Sequence, residues 1–536
     1  MKRNYLLLFF AVLSFGSYAQ LTIQSGATFF IQAGATVTVQ GDVVSNADIQ
    51  GTGLLLLKGT SAQNINMNGF TVNTSVEIDN TNHITLTGAA RTAGLLTFTN
   101  GKIILGTNNL IMAPTATFAG AGTGKFVETN GAGQLRREIA ANGNLVLPVG
   151  TGTRYTPLEY QVAGATFSAA YVAGRSVNGG HPNKHPRSSD FLNQYWSLSR
   201  SGITGGTVTT VGSYTEGTDL TGVEADIRAV TWNGANWALG TSQNNAANTV
   251  TAAITGTTGD LYAMNRFLLA SPTVYLQAAF NASTPTLMND RLRNSGAYSP
   301  GVYPASNLIP LTDPYRSAPY SANYTHVNNT VPETILQSVL NDQAVAANNI
   351  VDWVFVELRT ISSPTVAPVT QTRAVLLRRD GTLVDVDGVS PVYFKNVDPA
   401  NYVLAIRHRN HLAICINPAA PTPLSFSPTG FNFGTAGAAS LFGTANTNYR
   451  VLSGLNVMWA GNANHNPNVR YAGIDNDKDV VQSDLGIVGL SANYYRSDLN
   501  FNRTVRYAGI DNDKDFLLAN IINIAPVGQK LQVLPN

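Results

Sequence analysis

The sequence has little charge, a single cysteine and few long apolar runs, and each scarcity excludes a class of protein. Cys415 has no partner in the 536 residues, so disulfide bonds within the chain do not stabilise it. Lysine plus arginine number 33 and aspartate plus glutamate 31, and the resulting net charge of +2 argues against a nucleic-acid partner. Beyond the N-terminus no apolar run reaches the roughly 18 residues of a membrane-spanning helix, so we expect no transmembrane span.

The composition that remains is typical of exposed β-structure with many turns. Charged residues make up only 12% of the chain, and glycine occurs 49 times. A chain of this length exceeds the size of one hydrophobic core, so we expect about three or four domains.

The N-terminus predicts the compartment. Lys2 and Arg3 precede an apolar stretch that ends near Phe15, and small residues follow at Ser17 and Ala19. This order is typical of a cleavable secretory signal over residues 1–19. We therefore expect a secreted protein, extracellular or at the outer cell surface.

Residues 20–130 are a string of short β-type runs separated by glycine and asparagine. Recurring corners without hairpin turns favour a β-solenoid, similar to a parallel β-helix, and an open β-sandwich is the alternative. The outer face would be a rigid stalk or a glycan-binding surface. Its few carboxylates are a thin basis for catalysis: Asp42, Asp48, Glu77 and Asp79.

Further β-domains follow along the chain. Residues 131–270 contain strand-like runs with several tryptophans, which predict a β-sandwich. Residues 271–417 contain well alternating strands and an Asp380-Gly381 hairpin signal, which predict a second antiparallel β-domain. Its segment IRHRNHL is interpreted as a polar outer face, with a basic site for an acidic glycan as the alternative. The Pro/Gly/Ala/Ser-rich residues 418–456 predict a linker.

The most informative feature is an identical eleven-residue repeat, VRYAGIDNDKD, at Val469–Asp479 and again at Val505–Asp515. Each copy follows three oxygen-bearing side chains at alternate positions. Such spacing is typical of a loop that wraps a hard cation, because Ca²⁺ takes six to eight oxygen ligands. The short side chains upstream of the two copies are Asn462, Asn464 and Asn466 and then Asp498, Asn500 and Asn502.

This tandem segment, residues 457–525, resembles the paired loops of dockerin type I-like modules found in secreted, haemagglutinin-like or adhesin-like surface proteins of Gram-negative bacteria. The resemblance covers about 70 residues. The alternate residues match the first three ligand positions, and Val469 and Val505 match the aliphatic position. The usual glycine is replaced by Pro467 and Arg503. The resemblance implies Ca²⁺ as cofactor and a cohesin-like protein partner.

The closing ligand departs from the family pattern. The twelfth loop positions are Gly473 and Gly509, so a longer loop must return at DNDKD. The closing ligands predicted there are Asp475, Asp477, Asp511 and Asp513. The alternative is a pair of metal-free turns that cap two packed helices.

We expect a non-catalytic adhesin or glycan-binding protein with a calcium-stabilised C-terminal module, followed by a tail at residues 526–536. Extracellular or cell-surface glycans are the expected ligands. An alternative from another class is a component of extracellular polysaccharide degradation, in which the β-helix is a lyase or hydrolase tethered through the dockerin-like module.

Overall fold

A computed structural model describes residues 20–293, 307–485, 493–521 and 528–536, and the expected signal peptide lies outside them. The chain divides into two compact units, Met1–Arg266 and Phe267–Asn536. Strands dominate both units, which confirms a mostly β fold. No helix of the described ranges is long and apolar enough to cross a membrane.

The N-terminal unit begins as a parallel β-solenoid of about six turns, as predicted. Successive strands go in rotation to three parallel sheets, so that every third strand pairs with its equivalent in the next turn. The strands are β1 (Leu21–Ile23), β2 (Phe29–Ile31), β3 (Thr36–Val39), β4 (Val43–Ser45), β5 (Ile49–Gly51), β6 (Leu54–Leu57), β7 (Gln63–Asn66), β8 (Thr71–Val72), β9 (Ser75–Asp79), β10 (Ile84–Leu86), β11 (Ala90–Thr92), β12 (Leu95–Asn100), β13 (Ile103–Ile104), β14 (Leu110–Met112), β15 (Thr117–Ala119), β16 (Val127–Glu128) and β17 (Leu135–Ile139).

Stacked apolar side chains fill the solenoid. Along the third sheet Val39, Leu57, Ile78 and Phe98 lie in register, and each is at most 4% exposed. Glycine is required where turns approach closely: Gly51 has φ of +113°, and a Cβ there would lie 2.0 Å from the carbonyl oxygen of the preceding turn. The alternating runs and glycine corners of the sequence therefore reflect inward packing and tight stacking of turns.

The solenoid continues into antiparallel structure without a break. β17 pairs parallel with β14 on one side and antiparallel with β22 on the other. A second antiparallel sheet has the order β18-β21-β25-β30-β29. The elements of this region are β18 (Gly143–Leu147), β19 (Val149–Thr151), β20 (Arg154–Tyr155), β21 (Leu158–Ala163), β22 (Thr166–Asn178), β23 (Phe191–Leu192), β24 (Gln194–Thr204), β25 (Thr207–Ser213), α1 (Glu216–Asp219), β26 (Leu220–Thr221), β27 (Ile227–Trp232), β28 (Trp237–Leu239), β29 (Ser242–Asn244), β30 (Thr249–Ala253) and β31 (Thr258–Asn265), with a 3-10 turn at Glu224–Asp226.

The fully buried Trp196 on β24 links these two sheets. Its ring lies against Gly212 on β25, where a Cβ would approach it to 2.7 Å. Its indole N–H donates to the carbonyl of Thr156 at 2.9 Å. Because a buried tryptophan needs both packing and a hydrogen-bond partner, this residue fixes how the two sheets face each other.

The C-terminal unit is built on a six-stranded sheet in which β35, β34, β33, β37 and β38 are neighbours and β39 pairs with β37. A smaller sheet has the order β36-β32-β40. The elements are β32 (Phe267–Thr273), β33 (Ile350–Thr360), β34 (Val369–Arg378), β35 (Leu383–Val384), β36 (Val392–Lys395), β37 (Ala400–His408), β38 (His411–Cys415), β39 (Thr422–Leu424), β40 (Thr429–Asn432), β41 (Arg450–Leu452), β42 (Leu455–Val457), β43 (Asn468–Arg470), α2 (Asp477–Leu485), α3 (Asp513–Ile521) and β44 (Gln529–Leu531), with 3-10 turns at Pro314–Arg316, Gln337–Leu340, Ala346–Asn348 and Ala438–Ser440.

Residues 418–456, for which composition predicts a linker, contribute to this β-structure. β40 pairs parallel with β32, which lies about 160 residues earlier, and β39 pairs with β37. Phe426, Phe433 and Leu441 from the same segment are buried. The small residues of this segment therefore form short strands and turns against the larger sheets.

The C-terminal repeats are part of the same unit. Val469, Val481, Val505 and Leu517 from the two repeats and helices form a second apolar cluster with Leu412 of β38. The tail returns as β44, which pairs antiparallel with β43 of the first repeat. The repeats therefore share a core with the β-domain that precedes them.

Candidate functional site

Each repeat forms the end of a sixteen-residue loop that closes on the first residue of a helix; we call residues 462–477 loop one and residues 498–513 loop two. In loop one the side-chain oxygen of Asn464 accepts from the backbone amide of Asn466 at 3.1 Å. In loop two Asn500 accepts in the same way from Asn502 at 3.0 Å. These turns are the local reason for asparagine at alternate positions, because a short side chain that bonds its own backbone two residues on tightens the chain.

The segment before each helix presents a backbone carbonyl to these asparagines. The carbonyl of Asp475 accepts from the side-chain amide of Asn464 at 2.6 Å and from that of Asn466 at 3.3 Å. The carbonyl of Asp511 accepts from Asn500 at 2.8 Å and from Asn502 at 2.9 Å. Both aspartates have φ of +54°, and both side chains are exposed. Asp475 and Asp511 thus contribute main-chain oxygen, whereas the sequence predicts closing carboxylates.

The second aspartate of each DNDKD segment closes its loop with a buried carboxylate. Asp477 accepts the amides of Asn464 at 3.2 Å and Arg470 at 2.8 Å. Asp513 accepts the amides of Leu499 at 2.7 Å and Arg506 at 2.8 Å. Both aspartates have no exposed surface.

Among the ion pairs of the described ranges, none includes the buried carboxylates of Asp477, Asp498 or Asp513. Burial raises the pKa of Asp477 to about 8 and that of Asp498 to about 6. The guanidinium of Arg409 lies near Asp498 and opposes the rise in its pKa that burial causes. Burial and the neighbouring Asp498 raise the pKa of Asp513 well above its ordinary value. A carboxylate removed from water is stabilised when a positive charge joins it, so each loop is suited to a cation.

The first positions of the loops differ in charge. Asn462 is 3% exposed, its side-chain amide donates to the carbonyl of Asn466 at 2.8 Å, and its side-chain oxygen has no hydrogen-bond partner. In loop two the carboxylate of Asp498 accepts the amides of Asn502 and Arg503, each at 3.1 Å. An unpartnered buried oxygen is uncommon because it retains the full cost of desolvation.

The oxygen donors suit calcium better than a transition metal. Within the described part of the chain no group of three or more His, Cys, Asp or Glu side chains could hold a metal ion. Loop one offers one buried carboxylate and loop two offers two, and asparagine oxygens supply the remaining donors. Each amide oxygen that accepts one backbone hydrogen bond keeps a second lone pair. Such neutral oxygens are ligands of hard cations such as Ca²⁺.

Sequence reasoning missed the two asparagines that begin the helices. The side-chain oxygen of Asn476 accepts the amide of Asp479 at 2.9 Å, and that of Asn512 accepts the amide of Asp515 at 2.8 Å. Each amide group also donates to the carboxylate three residues on, at 2.7 Å. The signal was present in the sequence as Asn followed three residues later by an acid, which is an N-terminal cap of α2 and α3.

The segment IRHRNHL is buried, so its interpretation as a polar outer face is wrong. His408, Arg409, Asn410 and His411 are at most 1% exposed. The guanidinium of Arg409 donates to the carboxylate of Asp352 at 2.9 Å, and the His408 ring lies 3.1 Å from the same carboxylate. The polar turn between β37 and β38 can be buried because the carboxylate of Asp352, 57 residues before Arg409, neutralises the charge of that arginine.

The solenoid carboxylates connect one turn to the next. Asp42 accepts the amide of Asn64 at 2.8 Å, and Asp48 accepts the amide of Thr71 at 2.8 Å. Asp79 forms an ion pair with Lys58 at 2.8 Å. Each carboxylate therefore has a structural partner on the neighbouring turn.

No protein-family model, no curated protein and no solved structure matches this chain.

Proposed function

We propose that the chain is a secreted, non-catalytic surface protein of adhesin or glycan-binding type, and that its two C-terminal loops bind calcium. The observation that carries the calcium assignment is the buried carboxylate at the base of each loop. Asp477 and Asp513 occupy the same position in the repeat, are fully buried, and accept backbone amides of their own loops. A divalent cation would neutralise the carboxylates and use free lone pairs of the asparagine oxygens. The oxygen of Asn502 accepts both the amide and the hydroxyl of Thr504, so it would become a ligand when that hydroxyl turns away.

The proposed ligands are side-chain oxygens from four positions in each loop. The second loop should bind more tightly because its first position is a carboxylate, and affinity rises with the charge of the ligand set. The ligands are Asn462, Asn464, Asn466 and Asp477 in loop one and Asp498, Asn500, Asn502 and Asp513 in loop two.

A protein partner of cohesin-like type is supported by a duplicated surface. Ile474 and Ile510 stand at the same place in the two loops, and each is 82% exposed. Large aliphatic side chains with this exposure are costly to hydrate, and their identical setting in YAGIDN presents the same patch twice. We propose that the patches dock a partner when calcium orders the loops.

Calcium titration of the full-length mature chain tests the proposal. Isothermal calorimetry should show two bound ions, and the unfolding temperature should rise with calcium concentration because the ion binds the folded state alone. The variants D513N and D511N form a matched pair two residues apart. D513N should abolish one ion, whereas D511N should retain both because the loop uses only the Asp511 carbonyl.

Absence of binding at millimolar calcium would contradict the proposal. So would equal loss of binding in D513N and D511N, because the exposed Asp511 carboxylate has no assigned role in the loop. In either case the repeats would be metal-free turns that cap two packed helices.

A further inference from the structure

A cleft of about 690 Å³ opens within the C-terminal unit, and the calcium proposal does not use it. One side is formed by eight residues between Pro310 and Tyr320, and the other consists of Asp484 on α2 together with Tyr494, Tyr495 and Arg496. The volume falls in the range of about 300–1,000 Å³ that is typical of small-molecule sites.

The aromatic wall of the cleft is held rigidly from behind. The hydroxyl of Tyr494 donates to the carboxylate of Asp352 at 2.6 Å, and the Arg409 guanidinium lies 4.4 Å from the centre of the same ring. Tyr320 packs with its ring centre 4.9 Å from that of His465. Tyr320 is buried and supports the wall, whereas Tyr494 and Tyr495 are half-buried and can present a face to a ligand. Because the Tyr494 ring is already fixed, a ligand that stacks on it orders few side chains on binding.

The polar wall combines a fixed acceptor with a fixed donor. Asp484 accepts from Arg496 through both oxygens, at 3.2 and 3.3 Å, and from the hydroxyl of Ser497 at 2.6 Å. The Arg496 side chain is 24% exposed and that of Asp484 is 17% exposed, so both can also reach a ligand. An adjacent carboxylate and guanidinium present acceptors and donors to neighbouring hydroxyl groups.

The balance of charge indicates the class of ligand. Arg496 is paired with Asp484, and Asp313 on the opposite side lies 3.3 Å from Arg316. The cleft therefore carries no excess charge that would select an anion or a cation. The prolines and tyrosines provide apolar surface, so the best-fitting ligand has a flat C–H face and several hydroxyl groups.

We infer that this cleft binds a neutral saccharide, with the sugar ring against Tyr494 and Tyr495 and its hydroxyls on Asp484 and Arg496. The inference rests on the proposed glycan-binding function and gives it a site. A proline-rich peptide would also suit tyrosines, and its carbonyls could accept from Arg496, but proline has no N–H to donate to Asp484. A saccharide offers both donors and acceptors to the Asp484–Arg496 pair.

The test uses the full-length mature chain with 2 mM Ca²⁺ and ligand-observed NMR followed by calorimetry. The ligands are maltohexaose, cellohexaose, mannohexaose and xylohexaose, with oligogalacturonate as the acidic comparison and decaproline as the peptide comparison. At least one neutral hexasaccharide should bind saturably, and R496A and Y495A should each weaken it at least tenfold. R187A, at an exposed arginine of the N-terminal unit, is the matched control and should bind normally.

A second variant keeps the inference falsifiable if R496A unfolds. R496K retains the charge but loses the two-pronged contact, and it should also weaken saccharide binding at least tenfold. Calcium stoichiometry is measured on every variant. Calcium binding without saturable binding of a neutral hexasaccharide, preference for oligogalacturonate or decaproline, or normal binding by R496K would overturn the saccharide site and leave the calcium proposal standing. Saccharide binding without calcium binding would overturn only the calcium proposal.

Discussion

The side-chain amide of Asn410 donates to the backbone carbonyl of Asp498 at 2.8 Å, and the two residues are buried together. The backbone carbonyl of Asn410 also accepts the amides of Gly461 and Asn462, each at 3.0 Å. One residue at the turn between β37 and β38 thus holds the first position of both loops, through its side chain for loop two and its main chain for loop one.

This division predicts a selective effect of N410A. Alanine removes the side-chain bond to Asp498 and leaves the main-chain bonds to loop one in place. We expect the unfolding free energy to fall by about 1–3 kcal/mol, the usual cost of leaving a buried polar group without a partner. Chemical denaturation measures this loss of stability. Calorimetry should then show that calcium affinity falls at loop two and stays unchanged at loop one. An equal effect on both sites would show that Asn410 acts through general packing.

The two loops should exchange their calcium affinities when their first residues are exchanged. N462D adds a carboxylate at the position where the side-chain oxygen lacks a partner, and D498N removes the equivalent carboxylate from loop two. We expect N462D to strengthen calcium binding at loop one at least tenfold and D498N to weaken it at loop two by a similar factor, because ligand charge sets affinity.

The same exchange has an opposite consequence without calcium. N462D places a second buried carboxylate near Asp477, so the calcium-free protein should unfold at a lower temperature than the unmodified chain. Thermal unfolding with and without chelator measures both effects. A variant that is destabilised equally in both conditions would show that the added carboxylate does not face a cation.

The solenoid could be predicted because its pattern is local. Each turn repeats a short apolar strand and a glycine corner, and neighbouring turns in the chain are neighbours in space, as in the stack from Val39 to Phe98. The fold around the loops could not be predicted in this way. β40 reaches β32 across about 160 residues, and the charge of Arg409 is neutralised by Asp352 in another strand. Local composition contains no sign of such distant partners.

The candidate site likewise has a part that could be predicted from local sequence and a part that could not. The alternation of asparagines and the second aspartate of DNDKD follow from loop spacing, and the structure brings these residues together. The roles of Asp475 and Asp511 depend on a left-handed backbone turn that exposes the carboxylate and directs the carbonyl inward. The identity of these residues as aspartates does not indicate that the main-chain carbonyl, and not the carboxylate, points into the loop.

The stability of the calcium-free protein should fall as pH rises from about 6.5 to about 8. Below this window the lowered pKa values of the buried His408, His411 and His465 give an opposite slope, because these rings are protonated only in the unfolded chain. Burial raises the pKa of Asp477 to about 8, far above the ordinary value near 3.9. In this window the unfolded chain ionises the group while the folded chain keeps its proton, so the unfolded state gains about 1.4 kcal/mol for each pH unit. The raised pKa of Asp513 acts in the same direction.

Chemical denaturation at several pH values checks this dependence. The slope should lessen in D477N, and it should disappear in saturating calcium, because the bound cation favours the ionised carboxylate. D479N changes an exposed acid of the same helix turn and serves as the control. Because Asp479 accepts a hydrogen bond from Asn476 at the start of α2, the helix content of this variant is measured as well. A slope that is unaffected by calcium would place the buried carboxylates outside the metal site.

Saccharide binding in the cleft should depend on calcium. Asp484 lies on α2, which begins at the loop-one carboxylate Asp477, and Arg496 lies two residues before Asp498 of loop two. Without calcium, the buried Asp477 keeps the cost of its desolvation with no cation to offset it, so the segment that begins α2 and supports the polar wall should open more readily. We expect chelation to weaken binding of the neutral hexasaccharide at least fivefold, with the protein still folded by circular dichroism. By linkage, saccharide must then strengthen calcium binding by the same factor, which calorimetry can measure independently. Equal saccharide affinity with and without chelator would show that the wall is held by Asp352 and Arg409 alone, since these residues fix Tyr494 whether or not calcium is bound.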